Sequence, residues 1–252
     1  MQTAPFDWLC PDWPAPPNVR AWTTTRTGGV SEGAFAAMNL GLHSGDDVAR
    51  VQQNRAILAA QMDGARIAWL EQVHGAQVVS AEAACAAAAP PQADGSMATT
   101  PQVACAVMTA DCLPVLFCEA HGRVVAAAHA GWRSLAAGVL EATVARMDVP
   151  PQTVMAWLGP AIGPQAFEVG EDVRCAFLAE DADCGAAFVA GVAAGKWWAD
   201  LYALARRRLA RAGVMQVYGG GLCTVRDAAR FFSWRRDGGR TGRMVSVIWT
   251  TS

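Results

Sequence analysis

Two histidines and one cysteine have neighbours that suggest chemistry. His74 and His129 stand beside glycine at the ends of apolar stretches, in WLEQVHG and HAGWR, and Cys112 follows an acid in TADCLP. A thiolate and two imidazoles suit zinc, a borderline-soft ion with no geometric preference of its own. Three protein ligands leave a fourth position open, where a bound water would titrate near pH 7 rather than at about 15.7. The interval of 17 residues from Cys112 to His129 matches two antiparallel strands of about six residues each and their turn. A hairpin there would bring the two side chains back together.

Plainer roles compete with this one. A histidine beside a sheet is usually a hydrogen-bonded structural residue, and a cysteine in an apolar run is usually packing. Cys223, at the end of QVYGGGLC, could add a fourth ligand and close the site into a structural one. Cys112 could also act as a thiolate nucleophile with His129 as its base, attacking an amide.

Glycine and arginine recur together in TTRTGGVS, GWR and FFSWRRDGGRTGRM, and glycine returns in LGPAIGP. Exposed backbone N–H groups and guanidinium forks bind oxyanions, which nominates Arg26, Arg133 and Arg235 as phosphate contacts. GWR is the best placed, because a helical pattern follows it directly.

The elements that must position these residues are legible from apolar spacing. Strands are expected at NVRAWTTT, around IAWL and AQVVSA, and at QVACAVMT, LPVLFC, RVVAAAHA, TVMAWLG, QVYG and MVSVIWT. Helices are expected from Asp47 to Met62, from Ser134 onward, after VGED, and from Asp200 to Gly213. In the last of these, Leu201, Leu204 and Leu209 share one face, while Arg206, Arg207, Arg208 and Arg211 read as a solvated face. The alanine-rich AEAACAAAAPPQADG, broken by Pro90, Pro91 and Gly95, reads as an irregular surface link. Several strand connections are too short for crossover helices, so a mixed sheet is expected.

The 252 residues carry a formal charge of −2, which excludes the global positive field of a nucleic-acid binder. Hydrophobic residues make up 53% of the chain, yet much of that is scattered alanine, and no uninterrupted apolar run is long enough to span a membrane. The first residues lack the basic-then-apolar order of a secretory signal. The eight cysteines contain no CxxC pair and read as reduced thiols, so a cytoplasmic enzyme is expected, with a small-molecule substrate and no obligate protein partner.

Taken in order, TTRTGGVS, MNLGLHSGDD, WLEQVHG, TADCLPVLF, HAGWR, LGPAIGP, FEVGEDV and FFSWRRDG with TGRM resemble the YfiH-like, or laccase-domain, proteins from about Arg20 to about Trp249. The resemblance implies a single α+β domain over residues 1–252, behind a proline-rich lead-in at 1–18, with a central mixed β-sandwich flanked by helices. It implies zinc on His74, Cys112 and His129, and purine nucleoside and phosphate as reactants. The implied reactions are phosphorolysis of adenosine, inosine, guanosine and methylthioadenosine, and deamination of adenosine. Asp111 or Glu71 would move protons. On the substrate side, Arg26, Asn39, Gln72 and Arg133 are the expected contacts. A multicopper centre needs many closely spaced histidines, and four unpaired ones make any copper binding adventitious. The alternative is a cysteine hydrolase with Cys112 and His129, acting in peptidoglycan precursor editing.

Overall fold

A computed structural model describes residues 6–251. Two sheets form the centre. The four-stranded sheet runs in the order β1 (Val19–Thr23), β13 (Met244–Thr250), β5 (Val103–Thr109) and β2 (Arg66–Ala68). The six-stranded sheet runs β12 (Gln216–Gly219), β8 (Val154–Leu158), β6 (Leu113–Glu119), β7 (Val125–Ala130), β4 (Gly95–Ala98) and β3 (Val78–Ser80). A small third sheet holds β10 (Phe188–Ala190), β11 (Lys196–Ala199) and β9 (Glu168–Gly170). Parallel pairs (β2 with β5, β3 with β4, β8 with β12) sit among antiparallel ones, so both large sheets are mixed as expected.

Side-chain alternation sorts the strands into layers. Val103, Cys105 and Val107 of β5 face Leu116 and Cys118 of β6 and Val125 and Ala127 of β7 across the sandwich interior. The opposite residues of the six-stranded sheet, among them Val115, Phe117, Ala126 and Ala156, pack under the helices α4 (Val139–Arg146), α5 (Glu171–Leu178) and α6 (Leu201–Arg211). Ala104, Ala106, Val245 and Trp249 face the remaining side, with Leu58 of α1 (Val48–Ala60) and Trp8. Burial on both faces is why β5, β6 and β7 read as continuous apolar runs.

Three expectations needed correction. The alanine-rich segment forms a short helix, α2 (Ala81–Ala86), capped by the Ser80 hydroxyl on the Ala83 amide, because Ala81 and Ala84 bury one face against the sheet. Only its proline-bearing end is irregular. The helix after GWR starts earlier, as α3 (Trp132–Ala136), and is separated from α4 by Gly138 at φ 90°, a left-handed residue that ends one helix and starts the next. Arg208 is not solvated; it is buried on α6 and ion-paired with Glu141 of α4. Neighbouring Arg207 pairs with Asp181 and Asp183, so much of this arginine row ties elements together. Within the lead-in, Trp8 is buried against Trp22, and Leu9 bridges to Thr23. No helix among the described residues is long and apolar enough to cross a membrane.

Candidate metal centre and its cavity

The β6–β7 hairpin closes as its length requires, pairing Leu113 with Ala130 and Pro114 with His129. Cys112, in the turn before β6, therefore meets His129 near the end of β7. His74 comes from the connection between β2 and β3, where its φ of 61° turns the chain sharply. One ligand atom from each of His74, Cys112 and His129 lies within 4.8 Å of the others, and no other His, Cys, Asp or Glu among the described residues joins them. The two imidazoles pack edge to face with centroids 4.9 Å apart. Gly131 gives the sulfur room, since a Cβ there would lie 2.9 Å from Cys112 Sγ and 3.2 Å from His74 Cδ2.

The sequence reading missed the residue that joins these pieces. Asp94 is fully buried just before β4, which pairs with β7 so that Gly95 lies opposite Ala128. Its carboxylate accepts hydrogen bonds from the amides of Val73 (3.1 Å), His74 (3.0 Å) and Gly75 (2.6 Å). It also lies 2.7 Å from His129 Nδ1. One carboxylate thus shapes the tight turn that carries His74 and holds the His129 ring. A proton on Nδ1 directed at Asp94 leaves Nε2 as the ligand nitrogen. Asp94 is the lone charged residue between Glu82 and Asp111, and that isolation in an apolar stretch is the signal that could have found it.

Charge in the cluster is mutually supported. Burial alone would raise the Cys112 thiol, but the charge of His129 and hydrogen bonds from both histidines hold it below its usual range. Burial alone would lower His129, but the Cys112 sulfur and Asp94 hold it above its usual range. A thiolate is the form of cysteine that binds a metal. The donor set, its convergence and the carboxylate behind His129 all fit zinc with an open position.

A cavity of about 670 Å³ adjoins the three ligands. Ile162, Phe167 and Leu201 supply apolar wall, and Arg133, Arg235 and Arg243 supply positive charge. Arg133 lies over the Trp132 ring (4.3 Å), and Arg235 over Phe167 (5.5 Å) while donating to the Glu168 carbonyl. Asp111 and Glu71 also border the cavity. The Asp111 carboxylate accepts from the Thr224 hydroxyl (2.6 Å) and the Arg235 amide (2.6 Å), whereas the Glu71 side chain is exposed.

Other expected contacts are placed differently. Gln72 borders the cavity, but its amide is bonded at both ends to the backbone of Met108 (2.9 and 2.8 Å), continuing the β2–β5 pairing toward His74. Arg26 lies outside the cavity lining, donating to the carbonyls of Ala36 and Ala228 and stacked on Phe232. Asn39 is fully buried, spending its side chain on Ser44, Asp46, Gly41 and Arg243. Cys223 does not join the ligands; its sulfur accepts from the Gly163 amide where Ala161 bridges to Cys223. The idea of a closed four-ligand site is thereby overturned, because the strand end carrying Cys223 lies beside the 161–163 loop.

Comparison with known proteins follows the same lines. A family model described as multi-copper polyphenol oxidoreductase laccase matches residues 20–251. A purine nucleoside phosphorylase of Pseudomonas aeruginosa is 54% identical, covering 96% of this chain and 98% of that one. The purine nucleoside phosphorylase YfiH of Escherichia coli is 51% identical with the same coverage. Among solved structures, a Neisseria meningitidis protein superposes with a TM-score of 0.94 at 54% identity, over 98% of this chain and all of that one. The Bacillus licheniformis protein YfiH gives a TM-score of 0.86 at 31% identity, over 92% of this chain and 93% of that one. Matching motifs, matching fold and near-complete coverage agree, and the chain belongs to the YfiH-like, laccase-domain family.

Proposed function

We propose that the chain is a zinc-dependent purine nucleoside phosphorylase acting on adenosine, inosine, guanosine and methylthioadenosine, and that it also deaminates adenosine. The observation that carries this reading is the convergence of two imidazoles and a thiol at the edge of a cavity that is apolar on one part of its wall and cationic on another. Its volume lies within the range of about 300–1,000 Å³ typical of small-molecule sites. The names of the relatives at 54% and 51% identity support the same assignment.

In this reading His74, Cys112 and His129 hold the ion, and bound zinc supplies a Lewis acid with one open position. Apolar wall residues seat the purine. In phosphorolysis a phosphate oxygen bonds to the sugar carbon as the carbon–nitrogen bond to the base breaks, and the electron pair leaves with the base. Fixed cations on the phosphate, in a cavity that excludes bulk water, stabilise that redistribution of charge. Arg133 and Arg235 border the cavity and would supply such cations. Of the two acids, Asp111 is committed to Thr224 and the Arg235 amide, so it positions the arginine loop, and Glu71 is the acid left to carry a proton. Copper at a site with one thiol and two imidazoles would be adventitious. Eight cysteines without a CxxC pair fit a reducing cytoplasm.

Protein purified without added metal should contain close to one zinc per chain, and His129→Ala should lose both the metal and turnover of inosine with phosphate. Full activity of His129→Ala on adenosine, with and without phosphate, would overturn the proposal. A second reading has one observation in its favour, the depressed Cys112 thiol beside His129, which suits a cysteine hydrolase acting on a peptidoglycan precursor amide. Covalent trapping of Cys112 by an electrophile in zinc-loaded protein would favour that reading; protection of the thiol by zinc would exclude it.

A further inference from the structure

Arg243 lies in TGRM but is not among the arginines nominated from the sequence as phosphate contacts, yet both its backbone and its stem are held at the cavity. Its backbone is clamped to the 39–41 loop: the amide donates to Asn39 Oδ1 (2.9 Å), and the Leu40 amide donates to its carbonyl (3.2 Å). Its stem passes through a slot left by Gly41, where a Cβ would come within 2.7 Å of Arg243 Cγ. At the far end, Nη1 donates to the carbonyls of Thr241 (2.9 Å) and Gly242 (3.0 Å), and the guanidinium carbon lies 5.0 Å from the centroid of the Trp234 ring.

The charges of Cys112 and Asp111 act on Arg243 from a distance, but no anion among the described residues completes its fork. Arg243 makes no ion pair among the described residues, and neither Nε nor Nη2 has a hydrogen-bond partner there. These donors are not sealed in the core, since they are absent from the buried polar atoms that lack partners, and the residue borders the same cavity as His74, Cys112 and His129. The carboxylate of Asp111, whose charge reaches Arg243, is already committed to Thr224 and the Arg235 amide. Next to Arg243 in the sheet, Thr109 pairs with Met244, borders the cavity, and carries a buried hydroxyl with no partner among the described residues. A partly desolvated guanidinium with its fork open is costly unless an anion completes it.

We propose that Nε and Nη2 of Arg243 form the anchoring site for a tetrahedral oxyanion, held by two parallel charge-assisted hydrogen bonds beside the metal ligands. Asn39 and Gly41 act as positioning residues that hold the fork in place. The inference deepens the phosphorolysis reading by separating a prepared anchor, Arg243, from the exposed Arg133 and Arg235. The oxyanion is free phosphate or the phosphate group of a nucleotide, and the two sources are distinguished by experiment.

The test uses the zinc-loaded full chain and measures binding of inorganic phosphate, and separately of adenosine monophosphate, by calorimetry. Arg243→Met should weaken binding of the oxyanion by about 10–100-fold while zinc content and inosine binding stay at wild-type levels. Arg243→Lys, which keeps the charge but not the fork, should fall between. Gly41→Ala, which pushes on the stem without touching the charge, should weaken phosphate in the same direction and provides a readout if Arg243→Met does not fold. Arg133→Met, which removes an exposed cation from the same cavity, should weaken phosphate binding less than Arg243→Met does. Tighter binding of the monophosphate than of phosphate, lost in Arg243→Met, would keep the site and assign it to a nucleotide. Unchanged oxyanion binding in Arg243→Met or Arg243→Lys would overturn the proposal, and so would loss of phosphate and inosine binding together. If the wild type binds phosphate through Arg243 but does not cleave inosine, the phosphorolysis reading fails and the oxyanion site stands.

Discussion

Asp94 shows how much one buried carboxylate can organise. It contacts both the His129 ring and the backbone of His74, so its loss would act on two of the three proposed metal ligands at once. In Asp94→Asn one oxygen becomes an NH2 group facing amides that need an acceptor, and the negative charge that favours the His129 N–H is removed. Zinc affinity, measured by competition with a chelator, should fall about 10–100-fold. Retention equal to wild type would show that Asp94 only shapes the turn. Gly131→Ala tests the same site from the other side. The added methyl must displace Cys112 Sγ or His74, so zinc affinity should fall while Asp94 and its four contacts remain in place.

At the scale of elements, α2 depends on a small network of polar contacts. Ser80 caps the helix and donates to Glu82 Oε2 (2.6 Å), while Glu82 Oε1 accepts from the amides of Thr99 (2.9 Å) and Thr100 (3.0 Å), just past β4. Burial would raise the Glu82 carboxyl, but the Ser80 hydroxyl and the two amides outweigh it and bring it down to about 2. A folded-state value below the unfolded one, near 4.3, means that the carboxylate contributes stability above that value and loses it as pH falls toward 2. With the group partly exposed, screening reduces the effect to about 1 kcal/mol. Glu82→Gln should therefore lower stability at pH 7 by about that amount in denaturant titrations, and the difference from wild type should shrink steadily from pH 4.5 to pH 2. A constant difference across that range would show that shape, rather than charge, holds α2.

For the molecule as a whole, the three proposed ligands arrive from the β2–β3 connection, the β5–β6 turn and the end of β7, which belong to both large sheets. An ion binding all three ties the sandwich together and binds the unfolded chain more weakly. At free zinc about 1,000 times the dissociation constant, the fold should gain about 4 kcal/mol, read as a rise in Tm on loading and a fall on adding chelator. Cys112→Ala should abolish the metal-dependent part of that shift. A shift that survives the substitution would place the stabilising metal elsewhere.

The sequence by itself determined most of the elements and singled out His74, Cys112 and His129, which the structure brings together. Apolar runs buried on both faces announced β5, β6 and β7, the interval between Cys112 and His129 announced their hairpin, and glycine marked the tight approaches beside His74 and His129. Those properties are local, or follow from one chain length, and so can be read along the chain. Only the tertiary structure decided the roles of the polar residues around the site. Asp94 lies in an alanine- and proline-rich stretch and gains its function from β4 pairing with β7. Asn39 and Gln72 carry side chains suited to substrate, yet spend them on the backbones of Arg243 and Met108, and Arg243 keeps an open fork because the Asp111 carboxylate near it is bonded to Thr224 and the Arg235 amide. Whether a polar group is free or satisfied depends on partners tens to hundreds of residues away, and spacing along the chain carries no record of them.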